Sequence, residues 1–181
     1  LRREFARVKK KNLVMKDLEE VIQQKLDRMI FINPDRINYY ERYQQIIDAY
    51  NSEQDRATIE KTFEDLMKLA NQMNEEEQRY VREGFASDEE LSFYDMLFQE
   101  DLSKNDIKKL KEVATELLQK IKTKISELDH WTDKQETKAA VDNLIRDTLW
   151  AELPECYDEV SISGYRQKIY EYVYTRYKEV A

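Results

Sequence analysis

Three short segments combine carboxylates and lysines in a spacing that could hold Mg²⁺ and activate water. Pro34-Asp35 is followed by the triplets Asp106-Ile-Lys108 and Glu136-Thr-Lys138, and some metal-dependent nucleases carry Pro-Asp and Asp/Glu-x-Lys in this order. Those nucleases hold the motif on adjacent strands, whereas each segment here begins a predicted helix, where acids act as caps. Because charged residues form 38% of the chain, such triplets also arise by chance. The pattern favours helix starts, and a metal-dependent hydrolase is the weakest of three functional hypotheses.

Other side chains with catalytic potential also lack the partners that a site needs. The single histidine, His130, has no second histidine with which to share a zinc ion. Gly84 and Gly164 stand apart, so the glycine-rich turn that binds nucleotide phosphates cannot form. The acidic runs 75–77 and 88–90 lack the glycine turn and alternating ligands of a calcium loop. We therefore predict no catalytic residue, no cofactor site and no metal site in this chain.

The composition predicts an all-α protein. The 181 residues include only two glycines and two prolines, and no alternating strand pattern with Asn-Gly or Asp-Gly turns is present. The one cysteine, Cys156, excludes an internal disulfide, fits a reducing compartment, and is predicted to be partly buried beside Pro154. No apolar run approaches the roughly 20 residues that cross a bilayer. The chain begins with Leu1 in a helical pattern, so we expect a piece of a longer protein.

Apolar residues at spacings of three and four predict about seven helices, each with one buried face. In the first helix this stripe includes Leu18, Ile22, Leu26 and Met29. The predicted helices lie at about residues 3–32, 34–52, 56–83, 88–98, 103–125, 132–149 and 163–177. We predict a single helical domain over residues 1–181, folded as a helical bundle that the long first and third helices would allow to be elongated.

Capping residues set the predicted helix ends. Asn33 followed by Pro34 starts the second helix, and Gly84 stops the third. Ser87-Asp-Glu-Glu90 and Thr132-Asp-Lys-Gln135 match capping boxes, in which the side chains of the first and last residues bind each other's backbone N–H groups. Ser103 opens the helix between these two boxes. The short apolar helix after Ser87 is predicted to insert into the core.

The charge of the chain is uneven. A net charge of −8 argues against an autonomous binder of duplex DNA. Residues 1–16 nevertheless carry seven basic residues and one acid, and residues 104–124 are rich in lysine. Lys104, Lys108 and Lys111 fall on one helical side, with Lys109 beside them, so these four lysines are candidate contacts for DNA phosphates. The alternative interpretation is a solvated face that balances acidic neighbours.

Tyrosines are concentrated in two of the predicted helices. One group contains Tyr39, Tyr40, Tyr43 and Tyr50, and the other contains Tyr165, Tyr170, Tyr172, Tyr174 and Tyr177. Helical spacing makes packing in the core and at its rim the default for both groups. In the last helix, however, tyrosines lie on more than one side, and tyrosine is favoured at interfaces. We therefore predict Tyr170, Tyr174 and Tyr177 as candidate partner contacts.

Three blocks of the sequence resemble the C-terminal helical region of the R (motor) subunit of type I restriction enzymes. They are Asn33-Pro-Asp-Arg-Ile-Asn-Tyr-Tyr-Glu-Arg-Tyr43, Glu83-Gly-Phe-Ala-Ser-Asp-Glu-Glu-Leu-Ser-Phe-Tyr-Asp95, and a segment that begins Asp129-His-Trp-Thr-Asp-Lys134 and continues more loosely to Tyr177. The blocks are spread over most of the chain. None of them is a catalytic motif, so no catalytic residue of the family is carried over.

The resemblance implies a parent protein with far more chemistry than this chain. Such a parent is a prokaryotic, cytoplasmic restriction endonuclease subunit that cleaves and translocates DNA with ATP and Mg²⁺. Its partners would be the motor domains of the same subunit, the methylation and specificity subunits, and DNA for the whole complex, with no membrane. The favoured hypothesis for this chain is a non-catalytic C-terminal scaffold and interaction domain. The alternative is an accessory DNA-contacting helical module that uses the lysine-rich faces.

Overall fold

The computed structural model of the chain describes residues 11–52 and 56–178, with side chains described over residues 13–52 and 58–178. Within these ranges the chain forms eight α-helices and no strand. They are α1 (Lys11–Ile32), α2 (Ile37–Ser52), α3 (Arg56–Glu77), α4 (Arg79–Glu83), α5 (Asp88–Leu97), α6 (Lys104–Ser126), α7 (Gln135–Glu152) and α8 (Glu159–Tyr177), with a 3₁₀ turn at Pro34–Arg36. The all-α prediction is confirmed.

The helices group into two compact units, which we call unit 1 (residues 1–84) and unit 2 (residues 85–181). Gly84, at the end of unit 1, has a φ of +84°, a left-handed conformation that glycine adopts without strain. It caps α4, as the sequence predicted. The single domain over residues 1–181 stays a prediction. The predicted start of the first helix near Arg3, and most of the basic run at residues 1–16, lie outside the described residues.

Unit 1 is built from α1, α2 and α3, each of which contacts the other two. The predicted stripe of α1 is confirmed, because Ile22, Leu26 and Met29 are buried and Leu18 packs at the edge of the same core. The buried core of this unit comprises Met15, Ile22, Leu26, Met29, Tyr43, Phe63, Leu66, Leu69 and Met73. Fully burying one such side chain contributes about 1.5–3 kcal/mol, so this core is the main source of the stability of unit 1.

The connection from α1 to α2 follows the predicted caps, with one addition. The Asn33 side chain accepts a hydrogen bond from the backbone N–H of Asp35, and Pro34 occupies the first position after the cap. A 3₁₀ turn at Pro34–Arg36 then precedes the α-helix proper. This turn directs Arg36 inward, where its side chain is buried.

The predicted third helix is divided in the structure, which is why there are eight helices rather than seven. The backbone of Gln78 departs from helical geometry, and its N–H donates to the carbonyl of Glu75. Three carboxylates in succession, at residues 75–77, form the last turn of α3. After Gln78 the chain resumes as α4, a separate short helix.

Unit 2 is a ring of four packed helices. Its most extensive contacts run from α5 to α6, from α6 to α7, from α7 to α8, and from α8 back to α5. As predicted, α5 is inserted into the core, with Leu91, Phe93, Met96 and Leu97 buried. The largest buried side chain is Trp131, which comes from the loop before α7.

Helix starts in unit 2 show where the capping predictions succeed and fail. Ser103 and Asp106 form a complete capping box on α6. Ser87 caps α5 as predicted, but Glu90 reaches the backbone N–H of Ala86 rather than that of Ser87. The capping box predicted from Thr132 is wrong, because α7 begins only at Gln135 and has no side-chain cap. His130 has a left-handed φ of +46°, and the next residue, Trp131, turns into the core and is fully buried. The helix therefore starts after this turn rather than at Thr132.

The start of the last helix was predicted too late. The helix α8 begins at Glu159 rather than near Ser163, because Asp158 caps it by accepting a hydrogen bond from the backbone N–H of Ser161 (2.7 Å). Gly164 therefore lies inside the helix, in its second turn, instead of beside its start.

Candidate interaction surfaces

The predicted lysine face of α6 is only partly open to a ligand. Lys104, Lys108 and Lys109 are exposed along the first two turns of the helix. Lys108 lies 4.0 Å from Glu112, a solvent-exposed pair that contributes little to stability. Lys111, by contrast, is half-buried and places its ammonium 5.5 Å from the ring centre of Phe85 and 5.7 Å from that of Tyr94. The structure thus leaves three of the four predicted lysines accessible.

Further along α6, two lysines hold helices together. Lys120 pairs with Glu152 at the end of α7, and Lys122 pairs with Glu89 in the first turn of α5 at 2.6 Å. Hydrogen bonding to Lys120 lowers the pKa of the Glu152 carboxyl. These lysines carry out the charge balancing that was the alternative interpretation of the lysine-rich segment.

Two of the three predicted contact tyrosines pack against a buried tryptophan. The ring centre of Tyr170 lies 6.5 Å from that of Trp131, and that of Tyr174 lies 5.8 Å from it, both in edge-to-face geometry. Tyr170 is half-buried, whereas Tyr174 is 36% exposed. Their ring contacts lie within unit 2, and of the two tyrosines only Tyr174 keeps substantial surface for an outside partner.

Tyr177 belongs to a charged cluster at the end of α8. Its hydroxyl donates to Glu89 (3.0 Å), which also accepts from Arg176 (2.7 Å) and Lys122. Its backbone carbonyl accepts a hydrogen bond from the indole N–H of Trp131 (2.9 Å). Burial and the neighbouring carboxylate raise the pKa of the Tyr177 phenol, so this hydroxyl stays a donor. We call Glu89, Lys122, Arg176 and Tyr177 the Glu89 cluster.

A second charged cluster lies in unit 1, at the end of α3. Arg36, which is 2% exposed, donates to Glu76 (3.1 Å), and Arg79 approaches the same carboxylate at 2.9 Å. Lys25 of α1 pairs with the adjacent Glu77 at 2.8 Å. We call this group the Glu76 cluster. The sequence patterns did not predict this cluster, because Lys25 and Arg36 are distant from these acids in the chain.

Large apolar side chains are exposed at positions that the sequence analysis did not single out. In unit 2 the most exposed are Val160 at 81% and Trp150 at 51%. A signal for Trp150 was present, since the buried stripe of α7 runs through Val141, Ile145 and Leu149 and leaves the next residue outside. Val160 was missed because α8 was predicted to start after it.

The residues that suggested metal chemistry lie where helices begin. Asp35 follows the Asn33 cap, Asp106 completes the α6 capping box, and Glu136 lies in the first turn of α7. Among the described residues, no group of three or more histidines, cysteines or acids is placed to hold a metal ion. Over the same residues, no helix combines the length and the apolar character needed to span a bilayer. Cys156 is exposed, so the prediction that it is partly buried is wrong.

Comparison with known proteins gives one family. The profile described as "Type I restriction enzyme HindI endonuclease subunit-like, C-terminal" matches residues 2–171, which is nearly the whole chain. Neither the curated proteins nor the solved structures gave a significant match.

Proposed function

The chain belongs to the C-terminal family of type I restriction enzyme HindI endonuclease subunit-like proteins, and we propose that it serves its parent subunit as a non-catalytic scaffold and interaction domain. The observation that carries this proposal is the use of the charged side chains. The acids that could act in catalysis instead cap helices or join them through the Glu76 and Glu89 clusters. Acids that are engaged in capping and in ion pairs stabilise the fold and the surface it presents, and they take no part in catalysis.

The partners and cofactors of the proposal follow from the family resemblance. The parent subunit would cleave and translocate DNA with ATP and Mg²⁺, in domains outside this chain. This chain would contact the motor domains of that subunit and the methylation and specificity subunits. Tyr174 and the exposed apolar side chains of unit 2 supply surface of the kind that protein interfaces use.

Association measurements test the proposal directly. The purified chain is titrated, by light scattering or calorimetry, against the assembled methylation and specificity subunits and, separately, against the rest of the motor subunit. We expect saturable binding to at least one of them. Absence of binding to both would contradict the scaffold function. Hydrolysis of ATP or DNA by the purified chain with Mg²⁺ would contradict its non-catalytic character.

A second candidate function is contact with DNA, favoured by the three exposed lysines on the first two turns of α6. Three phosphate contacts would give an affinity that falls steeply with salt, since each neutralised phosphate adds about 0.9 to the logarithmic slope. We expect weak, sequence-independent binding, because lysines positioned on phosphates read no base edges.

The test of DNA contact uses a triple variant, Lys104→Glu, Lys108→Glu and Lys109→Glu. Lys111 is left unchanged because its stem packs on aromatic rings. The matched control is Lys134→Glu, an exposed lysine before α7. Loss of salt-sensitive binding in the triple variant alone would support the DNA function, whereas absent or salt-independent binding of the unaltered chain would exclude it.

A further inference from the structure

In unit 1 the helix α2 carries tyrosines toward both of its neighbours, α3 and α1. On the side of α3, the guanidinium of Arg42 lies over the ring of Tyr39, 5.9 Å from its centre. Glu76 of α3 lies near the same tyrosine and accepts a hydrogen bond from Arg36 (3.1 Å). A tyrosine ring, a carboxylate and arginines therefore meet on this side of α2.

The side of α2 that faces α1 has rings and a carboxylate but no arginine. The ring centres of Tyr40 and Tyr43 lie 6.5 Å apart. Burial raises the pKa of the Tyr43 phenol, and the nearby carboxylate of Glu19, in α1, raises it further. Glu19 is half-buried, and within the part of the chain that the structure describes its carboxylate forms no hydrogen bond or ion pair.

The basic side chains described between residues 13 and 52 are mostly engaged with α3. Four of the five bond there: Lys25 and Arg28 to Glu77, Arg36 to Glu76, and Arg42 to Gln72. The fifth, Lys16, is exposed one turn before Glu19 and forms no ion pair with it in the structure. A lysine on the N-terminal side of a glutamate is also the less favourable order for such a helical pair. No described cation of this segment is therefore fixed at Glu19.

An unpaired, half-buried carboxylate weakens the fold of the isolated chain. Burial raises the pKa of the Glu19 carboxyl, because the ionised form loses hydration that no basic group replaces. A glutamine of the same shape would avoid this loss of stability. Positions where a side chain breaks the local rules of stability are expected at functional sites. The carboxylate of Glu19 is therefore better explained by a group that reaches it from outside the chain.

We propose that Glu19, Tyr40 and Tyr43, which we call the Glu19 site, bind an arginine side chain of a partner protein. The guanidinium would pair with the Glu19 carboxylate and lie over the half-buried ring of Tyr40, as that of Arg42 lies over Tyr39 on the other side of the helix. Arginine suits the site better than lysine, because its planar fork bonds a carboxylate through two N–H groups and also stacks on aromatic rings.

Other occupants fit the Glu19 site less well. DNA would bring phosphates to Glu19 and to its exposed neighbour Glu20, which repel them. A calcium or magnesium ion needs several oxygen ligands, and the described residues contain no group of three side chains placed to hold a metal ion. The combination of one carboxylate with tyrosine rings favours an organic cation.

This inference rests on the proposed scaffold function and specifies one contact of it. The test variant is Glu19→Gln, which removes the charge and keeps the shape of the side chain. Its matched control is Glu20→Gln, the exposed neighbour in the same turn of α1. Both variants and the unaltered chain are titrated, in low and in high salt, against the two binding partners used to test the scaffold function.

We expect Glu19→Gln to weaken binding about ten-fold in low salt, the loss typical of one charge-assisted hydrogen-bonded pair. The loss should be smaller in high salt, and the control should bind like the unaltered chain. If the unaltered chain binds neither partner, the scaffold function fails and the Glu19 proposal falls with it. If the chain binds and Glu19→Gln binds equally well, only the Glu19 proposal is overturned.

The stability of the isolated chain separates binding from a structural role. We expect Glu19→Gln to raise the midpoint of urea unfolding, because it removes an unpaired, half-buried carboxylate. Binding would then fall while stability rises, whereas loss of a structural contact would lower both. A lower midpoint would show that the chain itself supplies a partner for Glu19 and would overturn the proposal.

Photo-crosslinking identifies the occupant in the assembled complex. A benzoylphenylalanine replaces Gln23, which is exposed one turn after Glu19 on the same side of α1, and the captured peptide is sequenced by mass spectrometry. The control position is Val21, exposed on the opposite side of the helix. A partner peptide that contains arginine, captured from position 23 only, supports the proposal. Capture of DNA, of the basic segment at residues 1–12 of this chain, or of a peptide without arginine overturns it.

Discussion

Each unit holds a carboxylate among basic side chains, but the two units do so at opposite ends of a helix. In unit 1, Glu76 and Glu77 lie in the last turn of α3, where the partial negative charge of the helix end repels them. In unit 2, Glu89 lies in the first turn of α5, where the partial positive charge attracts it. Similar ion pairs therefore offset an unfavourable helix dipole in unit 1 and add to a favourable one in unit 2.

This difference shows how burial and the helix dipole together determine how strongly a carboxylate depends on its basic partners. The acids of the Glu76 cluster are paired with basic side chains without help from the helix dipole, and Arg36 and Glu76 are 2% and 11% exposed. Glu89 is 19% exposed and has help from the helix dipole and from a phenol hydroxyl. We expect unit 1 to be less tolerant of losing one member of its cluster than unit 2.

The largest effect should come from Glu76→Gln. This change leaves two arginines beside a neutral group, and breaking a buried pair costs about 3 kcal/mol or more in the free energy of unfolding. Urea unfolding followed by circular dichroism measures the loss, and hydrogen exchange of the α3 peptides places it in unit 1. The matched control, Glu75→Gln on the exposed side of the same turn, should change stability by less than about 0.5 kcal/mol. Equal effects of the two variants would contradict this prediction.

A smaller loss, of about 2 kcal/mol, is expected for Glu89→Gln. The amide oxygen can still accept from the Tyr177 hydroxyl, and Lys122, which is 39% exposed, can turn toward water. Tryptophan fluorescence during urea unfolding reports this unit, since both tryptophans lie in it. A loss exceeding that of Glu76→Gln would reverse the comparison between the two clusters.

The pH dependence of unit 2 sharpens the comparison further. Burial alone would raise the pKa of Glu89, but hydrogen bonds from Lys122, Arg176 and Tyr177 outweigh it and hold that pKa below its ordinary value. A carboxylate of this kind stabilises the fold above its unfolded pKa, about 4.3, and loses that contribution as the pH falls through the folded value. The stability difference between the unaltered chain and Glu89→Gln should therefore be constant from neutral pH down to about 5.

Below that range the difference should shrink. Repeating the urea titration at successively lower pH values tests this directly. A difference that grew on acidification would show that the Glu89 carboxyl is protonated more readily in the folded chain than in the unfolded one.

The smallest effect should follow from Arg28→Ala. Arg28 donates to Glu77 at 3.2 Å but is 67% exposed, and exposed pairs contribute about 0–1 kcal/mol. Burial would raise the pKa of Glu77, but Lys25 and, to a lesser extent, Arg28 hold it below its ordinary value. Most of the stabilisation of this carboxylate should therefore remain when Arg28 is removed. Urea unfolding in low and high salt should show a small difference that salt removes. A loss above about 1 kcal/mol would contradict the expectation that this exposed pair contributes little.

Local sequence signals predicted most of the fold, because they act over a few residues. The stripe of α1, the Asn33 cap and the Ser103 capping box all depend on neighbours within one or two turns. The start of α8 was set by another local signal, the Asp158 cap, which the prediction overlooked. The start of α7 was wrong for a different reason, because it depended on more distant packing. Trp131 reaches across to Tyr177, and this contact set the path of the loop before α7.

The candidate surfaces were harder to predict for the same reason. The Glu89 cluster joins residues 33 and 87 positions away from Glu89, and no local pattern connects them. The lysine face was predicted from helical spacing, but the aromatic rings beneath Lys111 come from other elements of the fold. Spacing alone shows which side chains share a helix face, and packing decides which of them stay accessible.

The exposed thiol of Cys156 lies in the turn between α7 and α8, immediately after Glu155. As the one cysteine of the chain, it is a unique attachment point for a maleimide fluorophore. The same thiol makes oxidised samples misleading, because two chains joined by a disulfide at this turn would hide the surface around it from any partner. Binding experiments therefore require a reductant, and the fluorescence anisotropy of the labelled, reduced chain would report occupancy of that surface as it happens.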